Sequence, residues 1–181
     1  MSQAPLGAVI WIIGPPASGK TTLAQTILAS LGRAGLSTLW LDSDDLREYI
    51  TPGASYSPAD RDLFYRALAH LAELGERGGS HVVISATASR HSYRQQLRER
   101  VSRFVEIHLH APIDTLKNRD PKGLYAQAEA GKITSLPGVG APFEHPEGAD
   151  LSVDTSQSNP EATAKLALAL LEKKLGSKLT A

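Results

Sequence analysis

The stretch GPPASGKTT, which begins at Gly14, restricts the possible folds of this chain more than any other feature. Gly14 and Gly19 are separated by four residues and followed by Lys20 and Thr21, which fits the phosphate-loop pattern G-x-x-x-x-G-K-[ST]. An apolar run at 8–13 precedes the loop, and a helical pattern follows it. Because a phosphate loop requires this order of strand, loop and helix, the sequence predicts a nucleotide-binding α/β fold.

Each part of this loop has a physical reason. Glycines allow backbone turns that point several N–H groups inward, and the positive end of the next helix adds to them, which suits a β-phosphate. Lys20 is expected to reach the β- and γ-phosphates, and the Thr21 hydroxyl is expected to bind Mg²⁺. The predicted ATP-binding residues of the loop are Gly14, Ala17, Ser18, Gly19, Lys20, Thr21 and Thr22.

Short apolar runs alternate with longer amphipathic stretches along the whole chain. The runs lie at 8–13, 37–42, 81–86, 104–110 and 149–155. This alternation is typical of a mostly parallel sheet with helices on both faces. We therefore predict a single P-loop NTPase domain, residues 1–181, with about five strands and a C-terminal lid segment. Trp11 and Trp40 lie in these runs and are expected in the core.

The clearest helical pattern begins after Ser57 and ends at Gly78. Its predicted apolar stripe consists of Phe64, Ala67, Leu68, Leu71 and Leu74. A last helix is expected at 160–174, where alanine and leucine are frequent.

Composition excludes several classes of function. Lysine plus arginine and aspartate plus glutamate number 19 each, so no net field draws the chain to nucleic acid or an anionic membrane. The chain has no cysteine, which excludes disulfides, thiolate-bound zinc and a cysteine nucleophile. The amino-terminal residues lack the basic segment of a signal peptide, and the first apolar run is too short to span a membrane. We expect a cytoplasmic protein.

A carboxylate near the magnesium is expected in the stretch LWLDSDD. Asp42 follows three apolar residues, which places it at the edge of the sheet where the phosphate loop also lies. It can act on magnesium-bound water or accept a proton from an attacking hydroxyl. Asp44 and Asp45 have the alternative role of capping the next helix. No Asn-Lys-x-Asp pattern follows the fourth strand, so ATP is favoured over GTP.

The order of motifs resembles that of the adenylylsulfate kinase (APS kinase) family. LDSDDLR at 41–47 is similar to the family's L-D-G-D-x-[VIL]-R, and YSPADR at 56–61 is similar to F-S-x-x-D-R. RDPKGLYAQAEAGKI at 119–133 matches R-D-x-K-G-L-Y-x-x-A-x-x-G-x-I, and the following PGVGAPFEHP is similar to the family's T-G-[IV]-D-x-P-Y-E-x-P tail. The resemblance implies transfer of the γ-phosphate of ATP to the ribose 3′-hydroxyl of adenosine 5′-phosphosulfate (APS), and a homodimer is one option.

The resemblance also implies roles for particular residues. Asp42 would organise Mg²⁺ and activate the 3′-hydroxyl, and Tyr56 would stack on adenine. Arg119, at the hinge of a lid at about 119–148, would flank the ATP base, and Thr155 is placed with the ATP-binding residues. Long glycine- and proline-rich segments of this kind are often functional. The implied acceptor-binding residues are Asp44, Arg47, Tyr56, Arg61, Ala86, Lys122 and Leu136.

The acceptor half of the site departs from the family pattern. Ser43 replaces a glycine, Phe64 an asparagine, Leu136 an aromatic residue and Gly140 an aspartate, and residues 87–91 read TASRH where I-S-P-[YF]-R is expected. An altered pocket can direct the same machinery to another hydroxyl. A kinase that acts on a different nucleotide-linked or simple hydroxyl is therefore the alternative.

A nucleic-acid-binding module is a more remote alternative. Arg90, Arg94 and Arg98 are four residues apart and would form a basic stripe on one helix face. The zero net charge favours an ordinary solvated helix instead. A role for Arg94 in the acceptor pocket is a further option.

Overall fold

The structure, a computed structural model, describes residues 7–179. Its strands are β1 (Val9–Ile13), β2 (Thr38–Asp42), β3 (His81–Ser85), β4 (Phe104–His110) and β5 (Leu151–Asp154). They form one parallel sheet in the order β2-β3-β1-β4-β5. The predicted five-stranded α/β architecture is confirmed.

Helices connect the strands, because each parallel strand must be entered from the same end of the sheet. They are α1 (Lys20–Arg33), α2 (Ser43–Ile50), α3 (Pro58–Arg77), α4 (His91–Arg98), α5 (Ile113–Arg119), α6 (Leu124–Glu129) and α7 (Pro160–Leu175). The short helix α5 ends at the first residue of the segment predicted as a lid, and the short helix α6 lies within that segment.

The sheet separates two apolar cores. Alternate side chains of a strand point to opposite faces. Ile10 and Ile12 therefore pack with α1 and α7, while Val9, Trp11 and Ile13 pack with α3 and α4. All five residues of β1 are buried, as expected for the central strand of a sheet covered on both sides.

Helix α3 has the predicted limits but a different buried face. The Ser57 hydroxyl caps its first turn, as its sequence indicates. Leu71 and Leu74, predicted to lie in the apolar stripe, are 36% and 50% exposed. Glu73 and Glu76 are buried instead, because an arginine and a backbone N–H from the segment after α4 pair with them. The prediction for the two leucines is wrong.

The arginines of α4 form ion pairs and no basic stripe. Arg94 Nε lies 3.3 Å from Glu106 Oε1, and Arg98 Nη2 lies 3.0 Å from Glu106 Oε2. Arg90 pairs with an aspartate of α3. Arg94 is almost completely buried and also donates to the Ala88 carbonyl, so it holds the loop after β3 in place.

Trp40 does not lie in the core, in contrast to the prediction. Trp11 is completely buried in β1, whereas Trp40 is 38% exposed. The reason is strand order: β2 is an edge strand, so its side chains have a neighbouring strand on one side only.

Within residues 7–179, no helix has both the length and the apolar character needed to cross a membrane. The expectation that the amino terminus carries no signal peptide rests partly on residues 1–6, which lie outside the described residues.

Replacement of Glu106 by alanine should destabilise the fold strongly. It leaves the buried Arg94 without its carboxylate partner, at a cost of about 3–5 kcal/mol in the free energy of unfolding. Urea unfolding measures this cost. Lys117→Ala, which breaks an exposed ion pair with Glu129, is the control and should change the free energy little. Equal effects of the two substitutions would contradict the prediction.

Candidate active site

The phosphate loop turns sharply between β1 and α1. Gly14 has a φ of +147°, and a Cβ atom there would lie 2.1 Å from the Leu109 carbonyl oxygen, so no larger residue fits. Gly19, at φ +96°, precedes the first turn of α1. Ser18 is completely buried, and Ala17 also has a positive φ. The backbone is held in a turn of the kind that phosphate sites use.

Lys20 lies inside this turn. Its Nζ donates to the Pro15 carbonyl at 2.8 Å. Burial lowers the pKa of Lys20 to about 8, while Asp44 and Asp42 act against that shift. The ammonium group therefore remains charged at neutral pH and can exchange the carbonyl for a phosphate oxygen.

Asp42 joins the end of β2 to the phosphate loop. Its Oδ1 accepts from the Asp44 backbone N–H at 2.9 Å, so Asp42 caps α2, and Asp44 and Asp45 lie in the first turn. Its Oδ2 accepts from the Ser85 hydroxyl at 2.7 Å and lies 3.5 Å from Thr21 Oγ1. The Thr21 and Asp42 oxygens are close enough to bind one hard cation between them.

Arg47 lies between two aromatic rings. Its Cζ is 3.9 Å from the ring centre of Phe64 and 4.8 Å from that of Tyr56. Its Nη1 is buried and has no hydrogen-bond partner within residues 7–179. The guanidinium group thus makes cation–π contacts with both rings, and its Nη1 can donate to an oxyanion.

Arg61 connects two loops at the mouth of the site. Its Nε donates to the Tyr56 carbonyl at 2.9 Å, and its Nη2 donates to the Ser135 carbonyl at 2.7 Å. Tyr56 has a φ of +60°, which is unusual for a bulky side chain. The bond from Arg61 holds that carbonyl in place, and burial lowers the pKa of Arg61 below its ordinary value.

The RDPKGLY stretch forms a tightly bonded turn. The Asp120 carboxylate accepts from three backbone N–H groups in the first turn of α6. Tyr125 is almost completely buried and donates its hydroxyl to the Pro16 carbonyl at 3.1 Å. Arg119 donates from Nη1 to Thr155 Oγ1 at 2.9 Å and from Nη2 to the Thr155 carbonyl at 2.6 Å. The predicted lid is thus attached to the phosphate loop and to the end of β5.

Two residues predicted to contact the substrate are paired with each other. Lys122 forms an ion pair with Asp44 across the mouth of the site. This contact raises the pKa of Lys122 above its ordinary value. Gly123 and Gly131, which lie on either side of α6, have positive φ angles of +65° and +70°. The ion pair between Lys122 and Asp44 therefore lies across one side of the mouth of the site.

A cavity of ≈ 1150 Å³ unites these groups. All the predicted site residues line it except Gly14 and Ala86. Ala86 is completely buried in a core, and its neighbours Ser85 and Thr87 line the cavity instead. Leu136 lines the cavity but is only 5% exposed, because it packs on a leucine of α5 and a tyrosine of α6. It therefore presents little surface to a ligand.

Sequence reasoning missed the parts played by Ser85, Asp120 and Tyr125. Ser85 could have been found from the strand register, since it ends β3 directly beside Asp42. Asp120 and Tyr125 stand in the motif that was recognised, but no spacing rule indicated a helix cap or a bond to a loop far away in the sequence.

A phosphate loop after the central strand of a parallel sheet, with a carboxylate at a nearby strand end, defines a P-loop kinase. Residues 6–154 match the family model described as adenylylsulphate kinase. The chain belongs to the adenylylsulphate kinase family, and the sequence-based prediction of the family and of kinase function is confirmed.

Individual relatives agree with this assignment. A probable adenylyl-sulfate kinase of Pyrococcus abyssi is 34% identical over 162 residues, which is 90% of this chain and 93% of the relative. The adenylyl-sulfate kinase of Paraburkholderia xenovorans is 38% identical over 83% of this chain and 85% of its own. The APS kinase CysC of Mycobacterium tuberculosis, solved with AMPPNP and APS, has 33% identity and a TM-score of 0.86, over 93% of this chain and 99% of that chain.

The lowered pKa of Lys20 predicts a pH limit for nucleotide binding. Below pH 8 the ammonium group is protonated and binds phosphate, and above pH 8 it loses its charge in the free protein. The dissociation constant for ADP should therefore rise by up to about tenfold per pH unit above that value. Calorimetric titration between pH 7 and pH 10 measures it. Lys20→Arg should bind less tightly but without this rise, and a wild-type constant that does not change up to pH 10 would contradict the prediction.

Proposed function

We propose that the chain transfers the γ-phosphate of ATP to the ribose 3′-hydroxyl of APS to give the 3′-phosphorylated product. The observation that carries the proposal is the meeting of the RDPKGLY turn, the phosphate loop and Asp42 around one cavity. Family membership supports ATP and APS as the substrates. The Mycobacterium tuberculosis relative, solved with AMPPNP and APS, supports room for both in one site.

The ATP half of the proposed site rests on the phosphate loop. The loop N–H groups and Lys20 hold the phosphates, and Arg119 lies at the side where the base would sit, already bonded to Thr155. Thr21 and Asp42 provide hard oxygen donors that fit Mg²⁺. Within residues 7–179 no group of three or more His, Cys, Asp or Glu could hold a metal, so phosphate and water oxygens would complete its coordination. When bound, Mg²⁺ neutralises charge on the transferred phosphate.

In the proposed acceptor half, Asp42 faces the attacking 3′-hydroxyl. The guanidinium of Arg47, held flat by Phe64 and Tyr56, and the ammonium of Lys122 suit the phosphosulfate anion. Binding of APS would break the ion pair between Lys122 and Asp44. The Asp44 carboxylate would then be available to accept a hydrogen bond from the ribose. Closure of the lid would exclude water from the transferable phosphate.

A kinase for another hydroxyl is the second candidate, because the departures from the family pattern lie on the acceptor side. Phe64 supports it in particular, since a buried apolar ring replaces an amide directly beside Arg47, which lines the cavity. We further propose a single domain, a homodimer and a cytoplasmic location. Size-exclusion chromatography with light scattering tests the homodimer.

The reaction itself is tested by ADP release with ATP and Mg²⁺, across APS, CDP-linked compounds and simple alcohols. We expect turnover with APS at micromolar concentration. Lys20→Ala should lower kcat at least about 100-fold, because it removes the cation that stabilises the transferred phosphate. Turnover with another acceptor and none with APS would favour the second candidate, and an active Lys20→Ala enzyme would contradict the mechanism.

Arg47→Lys tests the acceptor half separately. The substitution keeps the positive charge but loses the flat, two-pronged donor that stacks between the rings. We expect the KM for APS to rise about tenfold while the KM for ATP changes less than twofold, as measured by initial rates. Arg33→Lys is the control, because it makes the same exchange of arginine for lysine at the last residue of α1, outside the lining of the cavity. An equal rise in both KM values would place Arg47 outside the acceptor half.

A further inference from the structure

Trp40 makes an unusual polar contact for a half-exposed residue of an edge strand. It lies two residues before Asp42 on β2, so both side chains project from the same face of the sheet. Its indole Nε1 donates to Ser85 Oγ at 2.9 Å, and Ser85 Oγ donates to Asp42 Oδ2 at 2.7 Å. A chain of two hydrogen bonds therefore runs from the edge of the sheet to the candidate catalytic carboxylate.

The donor and the acceptor of each of these two hydrogen bonds follow from the groups that form them. An indole N–H can only donate, and an ionised carboxylate can only accept. The Ser85 hydroxyl has one hydrogen, so it must accept from Trp40 and donate to Asp42. Ser85 is 2% exposed, which leaves it little access to competing water. With the Trp40 donor in place, the hydroxyl oxygen is satisfied and its hydrogen has one orientation.

The carboxylate of Asp42 depends on this orientation. Its Oδ1 is fixed by the cap of α2 through the Asp44 N–H, and its Oδ2 is fixed by Ser85. Together the two bonds define the plane of the carboxylate. That plane decides how Oδ2 faces Thr21, 3.5 Å away, and hence the space between them.

Trp11 shows that the fold does not require a bonded indole. It is completely buried in β1, and its Nε1 has no hydrogen-bond partner within residues 7–179. The bond made by Trp40 is therefore not a general consequence of placing tryptophan in this sheet. It is specific to the position beside Ser85 and Asp42.

We infer that Trp40 and Ser85 are positioning residues for phosphoryl transfer, which act by holding the Asp42 carboxylate toward Thr21. The inference rests on the proposed function only in its kinetic test. Trp40 lies outside the lining of the cavity, and Ser85, which lines it, acts through its bond to Asp42. Their contribution should appear in kcat and in binding that depends on Mg²⁺, and not in the affinity for nucleotide alone.

The kinetic test is a double-mutant cycle with ATP and APS. Trp40→Phe keeps an aromatic ring and removes the N–H group, and should lower kcat about fivefold with both KM values within twofold of wild type. Ser85→Ala should lower kcat about tenfold. Because the two residues act in series, the double variant should be no slower than Ser85→Ala. A loss in the double variant equal to the product of the single losses, or a wild-type kcat for Trp40→Phe, would overturn the inference.

Trp11→Phe is the matched control. It makes the same ring exchange where the indole N–H has no bonded partner, so kcat per folded molecule should not change. Thermal unfolding of every variant gives the folded fraction and separates a loss of stability from a loss of positioning. A kcat for Trp11→Phe as low as that of Trp40→Phe would show that the effect comes from packing alone.

A second test needs no acceptor. Calorimetry compares ADP binding with and without Mg²⁺. Trp40→Phe should reduce the gain in affinity that Mg²⁺ gives about fivefold and should leave Mg²⁺-free binding unchanged. Ser85→Ala should reduce that gain at least as much. An inactive wild type with APS would count against the proposed function and would leave this comparison intact. If Mg²⁺ increases the ADP affinity of Trp40→Phe as much as that of the wild type, the proposed role of Trp40 is overturned.

Discussion

The close approach of the phosphate loop to β4 at Gly14 is the contact on which the rest of the site depends. Only 2.1 Å would separate a Cβ atom at Gly14 from the Leu109 carbonyl, so the chain can leave β1 in this direction through glycine alone. Because all strands are parallel, the loop emerges at the edge where β2 and β3 also end. Asp42 then reaches both Thr21 and Ser85 as a consequence of strand order.

The fold was predictable where a signal is local. Buried parallel strands have unbroken apolar runs, and the helix α3 begins at a serine cap and ends at glycine, so its limits follow from neighbouring residues. The buried face of α3 does not follow from neighbouring residues. Glu73 and Glu76 are buried because their partners come from the segment after α4, and periodicity contains no information about such partners. Leu71 and Leu74 fit the helical period and are nevertheless exposed. Trp40 is exposed because strand order, not composition, makes β2 an edge.

The candidate site was predictable to a similar degree. Motif spacing indicated Lys20, Thr21 and Asp42, because each stands in a short stretch whose pattern alone predicts its role. The ion pair between Lys122 and Asp44 was not foreseen, although both residues were assigned to the acceptor. Groups of opposite charge can pair with each other in the absence of a ligand. Because both side chains are more than half exposed, this ion pair contributes little free energy, and an anionic ligand could replace it at small cost.

The proposed ATP and acceptor halves of the site differ in the groups that hold them. The ATP half is held through the backbone: a glycine lies against a carbonyl, N–H groups begin α1, and the Asp120 and Tyr125 side chains both bond to backbone groups. A substitution there changes the path of the chain. In the proposed acceptor half the functional groups are side chains, with the Arg47 guanidinium over the rings of Phe64 and Tyr56. An aromatic ring in place of an amide can preserve the plane of a guanidinium group by stacking, so the acceptor half can change residues while still offering a cation to an anionic acceptor.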